Sequence, residues 1–131
     1  MNKEELNRIS GIILDCSIEV HKQLVPGLLE SVYEICLFKE LRSRKLFVER
    51  QVQVPVIYKS EQLDADFRID LLVEKEVIIE LKAVEIILPV HQAQLLTYLK
   101  LADKRLGLLI NFNVPKLVDG FKRMIHGYSQ E

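Results

Sequence analysis

Phe67-Arg68-Ile69-Asp70-Leu71-Leu72-Val73-Glu74-Lys75-Glu76-Val77-Ile78-Ile79-Glu80-Leu81-Lys82-Ala83 is the stretch on which the rest of the chain is organised. Two β-branched, apolar runs flank the charged tripeptide Glu74-Lys75-Glu76, the pattern of a hairpin closed by a short polar loop. Side chains alternate along a strand, so residues two apart share a face. Val77, Ile79, Leu81 and Ala83 then face one way, and Ile78, Glu80 and Lys82 the other. In the preceding run Phe67, Ile69, Leu71 and Val73 share one face, and Arg68, Asp70 and Leu72 the opposite one. With the tripeptide as the loop, Asp70 stands across from Glu80, their Cβ atoms roughly 4.5–5.5 Å apart.

Two ionised carboxylates at that separation repel, and one takes up a proton unless a cation intervenes. A hard divalent ion resolves the conflict, because carboxylates are its preferred ligands. Lys82 projects from the same face, one pleat beyond Glu80. The ordinary alternative is a surface hairpin with solvated charges and a weak Glu80–Lys82 pair. Against it, Val77-Ile78-Ile79 before the acid and Ala83-Val84 after it have the composition of a buried strand.

With 131 residues, of which 49% are hydrophobic, the chain is expected to form a single domain over 1–131 with a sizeable core. No apolar run approaches the ~20 residues that cross a bilayer, and Met1–Leu6 carries acids where a signal peptide would not. Cys16 and Cys36 fall among apolar residues and read as small buried hydrophobes in a reducing compartment. A cytoplasmic location without a membrane partner is therefore expected. The 18 basic and 19 acidic residues leave a net charge of −1, which counts against nonspecific coating of nucleic acid. It does not exclude a nuclease, whose acids gather at a metal. The basic groups Lys39, Arg42, Arg44, Lys45 and Arg50, then Lys100, Lys104 and Arg105, then Lys116, Lys122 and Arg123, read as solvated faces.

Asn2 with Glu5 resembles a capping box. Leu6, Ile9, Ile13, Cys16 and Val20 then recur at helical spacing, to about Lys22. His21 near that end reads as a partly buried or helix-capping group. Val25-Pro26-Gly27 breaks the helix. A second helix spans about Leu28 to Arg44, in which Leu37 and Leu41 lie within about 20° of Glu30. Glu30 thus points along an apolar stripe, and is either a site residue, one half of a salt bridge or a first-turn acid favoured by the helix dipole. Tyr33 reads as core. Phe47–Tyr58 alternates as a strand, with Pro55 marking an edge or a bulge. Asp64 and Asp66 are reserve acids, read first as exposed strand-end charges.

Pro89 opens a third helix, with His91, Gln94, Leu95, Tyr98, Leu101 and Ala102 on one face. Gln94 and Tyr98 are neighbours at i,i+4, paired to each other or aimed at something polar. Leu106–Ile110 is a continuous apolar run, as in a strand buried on both faces, and completes a right-handed βαβ unit. Asn113-Val114-Pro115 starts a short last helix carrying Leu117, Val118, Phe121, Met124 and Ile125. The tail Ser129–Glu131 is expected to fray. The fold class is α/β, in the order ααβββαβα. Its sheet has four strands, an antiparallel meander plus one parallel strand, with flanking helices.

Asp70, Glu80 and Lys82 resemble the Asp…Glu-x-Lys signature of the PD-(D/E)XK nuclease superfamily. Gly27-Leu28-Leu29-Glu30-Ser31-Val32-Tyr33 is similar to the motif of the GxxExxY protein family, a branch of that superfamily. His91-Gln92-Ala93-Gln94-Leu95-Leu96-Thr97-Tyr98-Leu99-Lys100 resembles the Gln-x3-Tyr element of its exonuclease-like members. Gly107–Phe112 and Asp119–Arg123 resemble later blocks, so the likeness runs from about Ile9 to Arg123. Ile69 stands where the signature nominally has proline.

This resemblance implies a restriction-endonuclease-like fold and metal-dependent phosphodiester hydrolysis, leaving 5′-phosphate and 3′-hydroxyl ends. It implies that Asp70, Glu80 and the Leu81 carbonyl hold Mg2+ or Mn2+, with Glu30 approaching from the second helix. Lys82 would orient a water and offset developing charge. Gln94 and Tyr98 would hold Lys82 or a phosphate oxygen. The implied partner is nucleic acid, DNA ahead of RNA, and the short chain suggests a homodimer or a separate targeting partner. The alternatives are a non-catalytic nucleic-acid-binding module of nuclease fold, or a protein-interaction domain whose polar cluster is a closed hydrogen-bond network.

Overall fold

A computed structural model describes residues 1–24 and 26–127. In chain order the elements are α1 (Lys3–Gln23), α2 (Glu30–Ser43), β1 (Val48–Tyr58), β2 (Glu61–Val73), β3 (Val77–Lys82), α3 (Pro89–Ala102), β4 (Leu106–Asn111) and β5 (Phe121–Ile125). A single 3-10 turn, Leu117–Gly120, precedes β5. Among the described residues the strands form one mixed sheet in the order β1-β2-β3-β4-β5. The β3–β4 pair is parallel and the other neighbours are antiparallel.

Local signals set most of these boundaries. The Asn2 side chain accepts from the Glu5 N–H at 2.9 Å and starts α1. Pro89 sits in the first turn of α3, where the Leu88 N–H donates to His91 Nδ1 at 3.0 Å. Glu74 and Lys75 both adopt left-handed backbone, with φ of 52° and 59°, and turn β2 into β3. The ladder Val73↔Val77, Leu72↔Ile78, Leu71↔Ile79 is the register expected from a three-residue loop. Pro55 lies on the outer strand, β1, and the register shifts between Pro55 and Ile57. Cys16 is buried, Cys36 is half-buried, and both are free thiols. The break at Val25 and the tail Ser129–Glu131 lie outside the described residues.

The sheet has five strands where four were expected, because the last segment is a strand rather than a helix. Leu117, Val118 and Phe121 fit a helical period, but β4 is buried along its whole length and its free edge needs backbone partners. β5 supplies them, from Ile110↔Phe121 to Leu106↔Ile125. The chain can turn there because Gly120 has no side chain. A Cβ at that position would stand 2.2 Å from the Asn111 carbonyl oxygen.

Two cores pack against the sheet. On one face Ile9, Ile13, Leu37 and Leu41 of α1 and α2 meet Leu71, Val73, Ile79, Leu81 and Leu108. On the other Leu95, Tyr98 and Leu99 of α3 meet Val54, Ile69, Ile78 and Leu109. Simple alternation predicts that Phe67 and Ile69 share a face with Leu71 and Val73, and the structure corrects this. Phe67 and Ile69 pack with the α3 core, and Leu71 and Val73 with the helical pair α1 and α2. β2 therefore turns over at Asp70.

Candidate active site

The acids meet where β2 and β3 stop pairing through their backbones. Beyond Leu71↔Ile79, side chains take over the bonding. The Asp70 N–H donates to Glu80 Oε1 at 3.2 Å, and the Leu81 N–H donates to Asp70 Oδ2 at 2.8 Å. Each carboxylate thus spends one oxygen on the neighbouring strand. The second oxygen of each has no hydrogen-bond partner among the described residues, and neither is sealed from solvent. Each carboxylate is thus left with one hard oxygen open.

Charge makes this arrangement tense. Burial raises the Glu80 carboxyl from 4.5 to about 8, and the neighbouring Asp70 adds to the rise. Glu80 is only 6% exposed. Burial also raises Asp70, although the Leu81 N–H pulls it down and the Glu34 and Glu30 charges push it up. Lys82, half-buried at the end of β3, favours the ionised form of both. Burial, followed by the charges of Glu80 and Asp70, raises the Tyr98 hydroxyl. Tyr98 is itself buried, its ring 5.1 Å from that of Phe67.

The predicted residues are gathered unevenly. Asp70, Glu80, Lys82 and Tyr98 form one electrostatic neighbourhood. Glu30, the first residue of α2, acts on Asp70 and Glu80 but is exposed, so its inward aim is corrected. Gln94 is exposed on α3 and its side chain bonds to neither Tyr98 nor Lys82. Leu81 contributes its N–H to Asp70 and buries its side chain. Tyr33 belongs to the core, stacked on Phe112 at 4.6 Å. Asp64 and Asp66 are exposed. His21 holds the Val114 carbonyl through Nε2 at 2.7 Å.

Three supports were missed in the sequence. Glu34 is the inward acid of α2, 5% exposed and bonded to Arg50 and Gln51 of β1. Its spacing to Leu37 and Leu41 carried the signal, since it too lies near their stripe. Arg50, read as a solvated base, closes that pair at 3.0 Å and lies 5.7 Å from the Phe38 ring centre. Asn111, a lone amide ending an apolar strand, accepts from the Val84 N–H and donates to the Val84 carbonyl. With the Phe112 N–H on the Lys82 carbonyl at 3.0 Å, it fixes the end of β3 that carries Lys82.

A family profile described as the PD-(D/E)XK nuclease superfamily matches residues 7–124. The chain belongs to the PD-(D/E)XK nuclease superfamily. The solved structure titled "Crystal structure of SSO0001" is similar to it with a TM-score of 0.51 and 17% identity. That likeness covers 92% of this chain and 79% of the other, and supports a restriction-endonuclease-like fold. No curated protein sequence matches the chain. No helix among the described residues is long and apolar enough to cross a membrane.

Nucleases of the PD-(D/E)XK superfamily generally depend on a divalent metal. Among the described residues no three His, Cys, Asp or Glu side chains stand together as a finished cage. The donor set nevertheless fits a hard ion. It offers carboxylate oxygens without thiol or imidazole, the donors that a hard divalent ion prefers. The buried acids also need a positive charge to ionise together.

Proposed function

We propose that this member of the PD-(D/E)XK superfamily is a metal-dependent nuclease hydrolysing phosphodiester bonds. The observation that carries the reading is the interlocked pair Asp70 and Glu80, each with one open oxygen, beside Lys82. Asp70, Glu80 and the Leu81 carbonyl would hold Mg2+ or Mn2+, and Glu30 could swing in from the start of α2. A divalent ion held there would supply an acidified water and positive charge at the phosphate. Lys82 orients the attacking water and offsets charge on the phosphate as it develops. Tyr98, with its hydroxyl near Glu80, positions the lysine or a phosphate oxygen, and Gln94 is free to join it when substrate arrives.

The finer assignment is to the GxxExxY branch, on Gly27, Glu30 and Tyr33. Gly27 takes φ of 94°, a turn that suits glycine, just before α2 begins at Glu30. Tyr33 anchors that first turn: it is buried on Phe112, and its hydroxyl accepts from the Leu28 N–H at 3.4 Å. The motif thus reads as a mount for Glu30. The substrate is nucleic acid, DNA ahead of RNA.

Calorimetric titration with Mn2+ and a cleavage assay test the proposal together. The native chain should bind Mn2+ and cut, Glu80→Ala should lose the heat, and Lys82→Ala should lose the cutting. Equal cutting by the native chain and Lys82→Ala would mean that a contaminant is responsible.

A further inference from the structure

Gln51 lies across from Asp70. Arg50↔Leu71 and Val52↔Ile69 pair on either side of this point, but the ladder itself is interrupted there. Gln51 adopts left-handed backbone, with φ of 53°, which is uncommon for a residue other than glycine. At this level both strands exchange faces. Val48 packs with the α1 and α2 core, whereas Val52 and Val54 pack with the α3 core. β2 makes the same exchange, between Leu71 and Ile69. A strand that turned over alone would bury polar groups against its neighbour's apolar ones, so the two reversals depend on each other.

Something must hold Gln51 in a conformation that its own backbone disfavours. Its Nε2 donates to Glu34 Oε1 at 2.7 Å. Glu34 is itself pinned by the Arg50 fork, at 3.1 Å and 3.0 Å to Oε2. We infer that Glu34 is a positioning residue. By clamping Gln51 in left-handed backbone it fixes the level at which β1 and β2 turn over, and so aims the Asp70 carboxylate at the Leu81 N–H. The inference rests on the proposed function only for what Asp70 is used for.

Amide hydrogen exchange in the metal-free protein reads the aim of Asp70 directly, through the Leu81 N–H that it accepts. Glu34→Ala and Gln51→Val should each speed Leu81 exchange by about tenfold relative to a β4 amide such as Leu108. Gln51→Gly tolerates positive φ without a clamp and should leave Leu81 protected. The double variant Glu34→Ala with Gln51→Gly should regain the protection that Glu34→Ala loses. A purely structural role for Glu34 predicts instead that the single and double variants lose protection alike, and that result overturns the inference. Unchanged Leu81 exchange in Gln51→Val overturns it too, and the two Gln51 variants decide the matter if Glu34→Ala does not fold. Mn2+ titration of the same proteins should show affinity following Leu81 protection. No heat from the native chain would remove the metal reading, and the exchange data would still decide the role of Glu34.

Discussion

Asp70 and Glu80 hold each other's strands together. The Asp70 N–H donates to Glu80 Oε1 at 3.2 Å, and the Asp70 carboxylate accepts from Leu81, the residue after Glu80, at 2.8 Å. Strand pairing and the candidate site are therefore one structure, and loss of either acid acts on both.

The metal-free protein should lose stability as pH rises from about 4.5 towards 8. Burial raises Glu80 from 4.5 to about 8 in the folded state, so the folded chain holds a proton that the unfolded chain releases. Asp70 is shifted the same way. The sign is that of a raised folded-state pKa: the contribution is complete below the unfolded value and gone above the folded one. Urea unfolding in chelator should give a lower midpoint at pH 9 than at pH 6. Glu80→Gln should shrink that difference, and saturating Mn2+ should reverse it, because binding displaces the proton.

Lys82→Ala separates binding from chemistry. Removing a cation beside the two acids should leave Mn2+ affinity unchanged or tighter in calorimetry. Cleavage should fall by about 10²–10³, the scale of losing one transition-state electrostatic partner. A fall in affinity equal to the fall in rate would place Lys82 in the fold of the site rather than in its chemistry.

Glu34→Ala should destabilise the protein by about 1–2 kcal/mol in chemical denaturation. A fully buried pair broken on one side costs roughly 3–5 kcal/mol. Here the Arg50 side chain keeps 38% exposure, so water takes over much of its charge.

Two glycines should respond differently to alanine. At Gly120 the new Cβ would meet the Asn111 carbonyl oxygen at 2.2 Å, a backbone atom that cannot step aside. Gly120→Ala should cost roughly 2–3 kcal/mol in thermal or urea unfolding, as an overpacked site does, and should expose β5 amides to exchange. At Gly107 the neighbour is the end of the Leu95 side chain, 2.9 Å away, which can shift its rotamer. Gly107→Ala should cost roughly 1 kcal/mol.

Local pattern was enough for the hairpin and its register, and for the nearness of Asp70, Glu80 and Lys82. The three-residue loop set Asp70 at the level of Glu80, and Glu80 with Lys82 needed only the two-residue period of a strand, whereas alternation failed in β2 at Asp70. Pro55, Pro89 and Asn2 marked an edge strand and two helix starts, because each acts through its own backbone or its nearest neighbours.

Tertiary structure decided what local period leaves open. Phe121–Ile125 carries a spacing that suits either a helix or a strand, and the unpaired edge of β4 chose between them. Glu30 and Glu34 lie close together on one helix face. Only the presence of Arg50 and Gln51 across the gap drew Glu34 inward and left Glu30 exposed. The reversal of faces at Asp70 likewise depends on a left-handed residue in the neighbouring strand. The sequence by itself determined which residues carry charge, and where along each strand or helix they fall. Their convergence was decided by contacts between segments far apart in the chain, because a buried charge goes where its partner is.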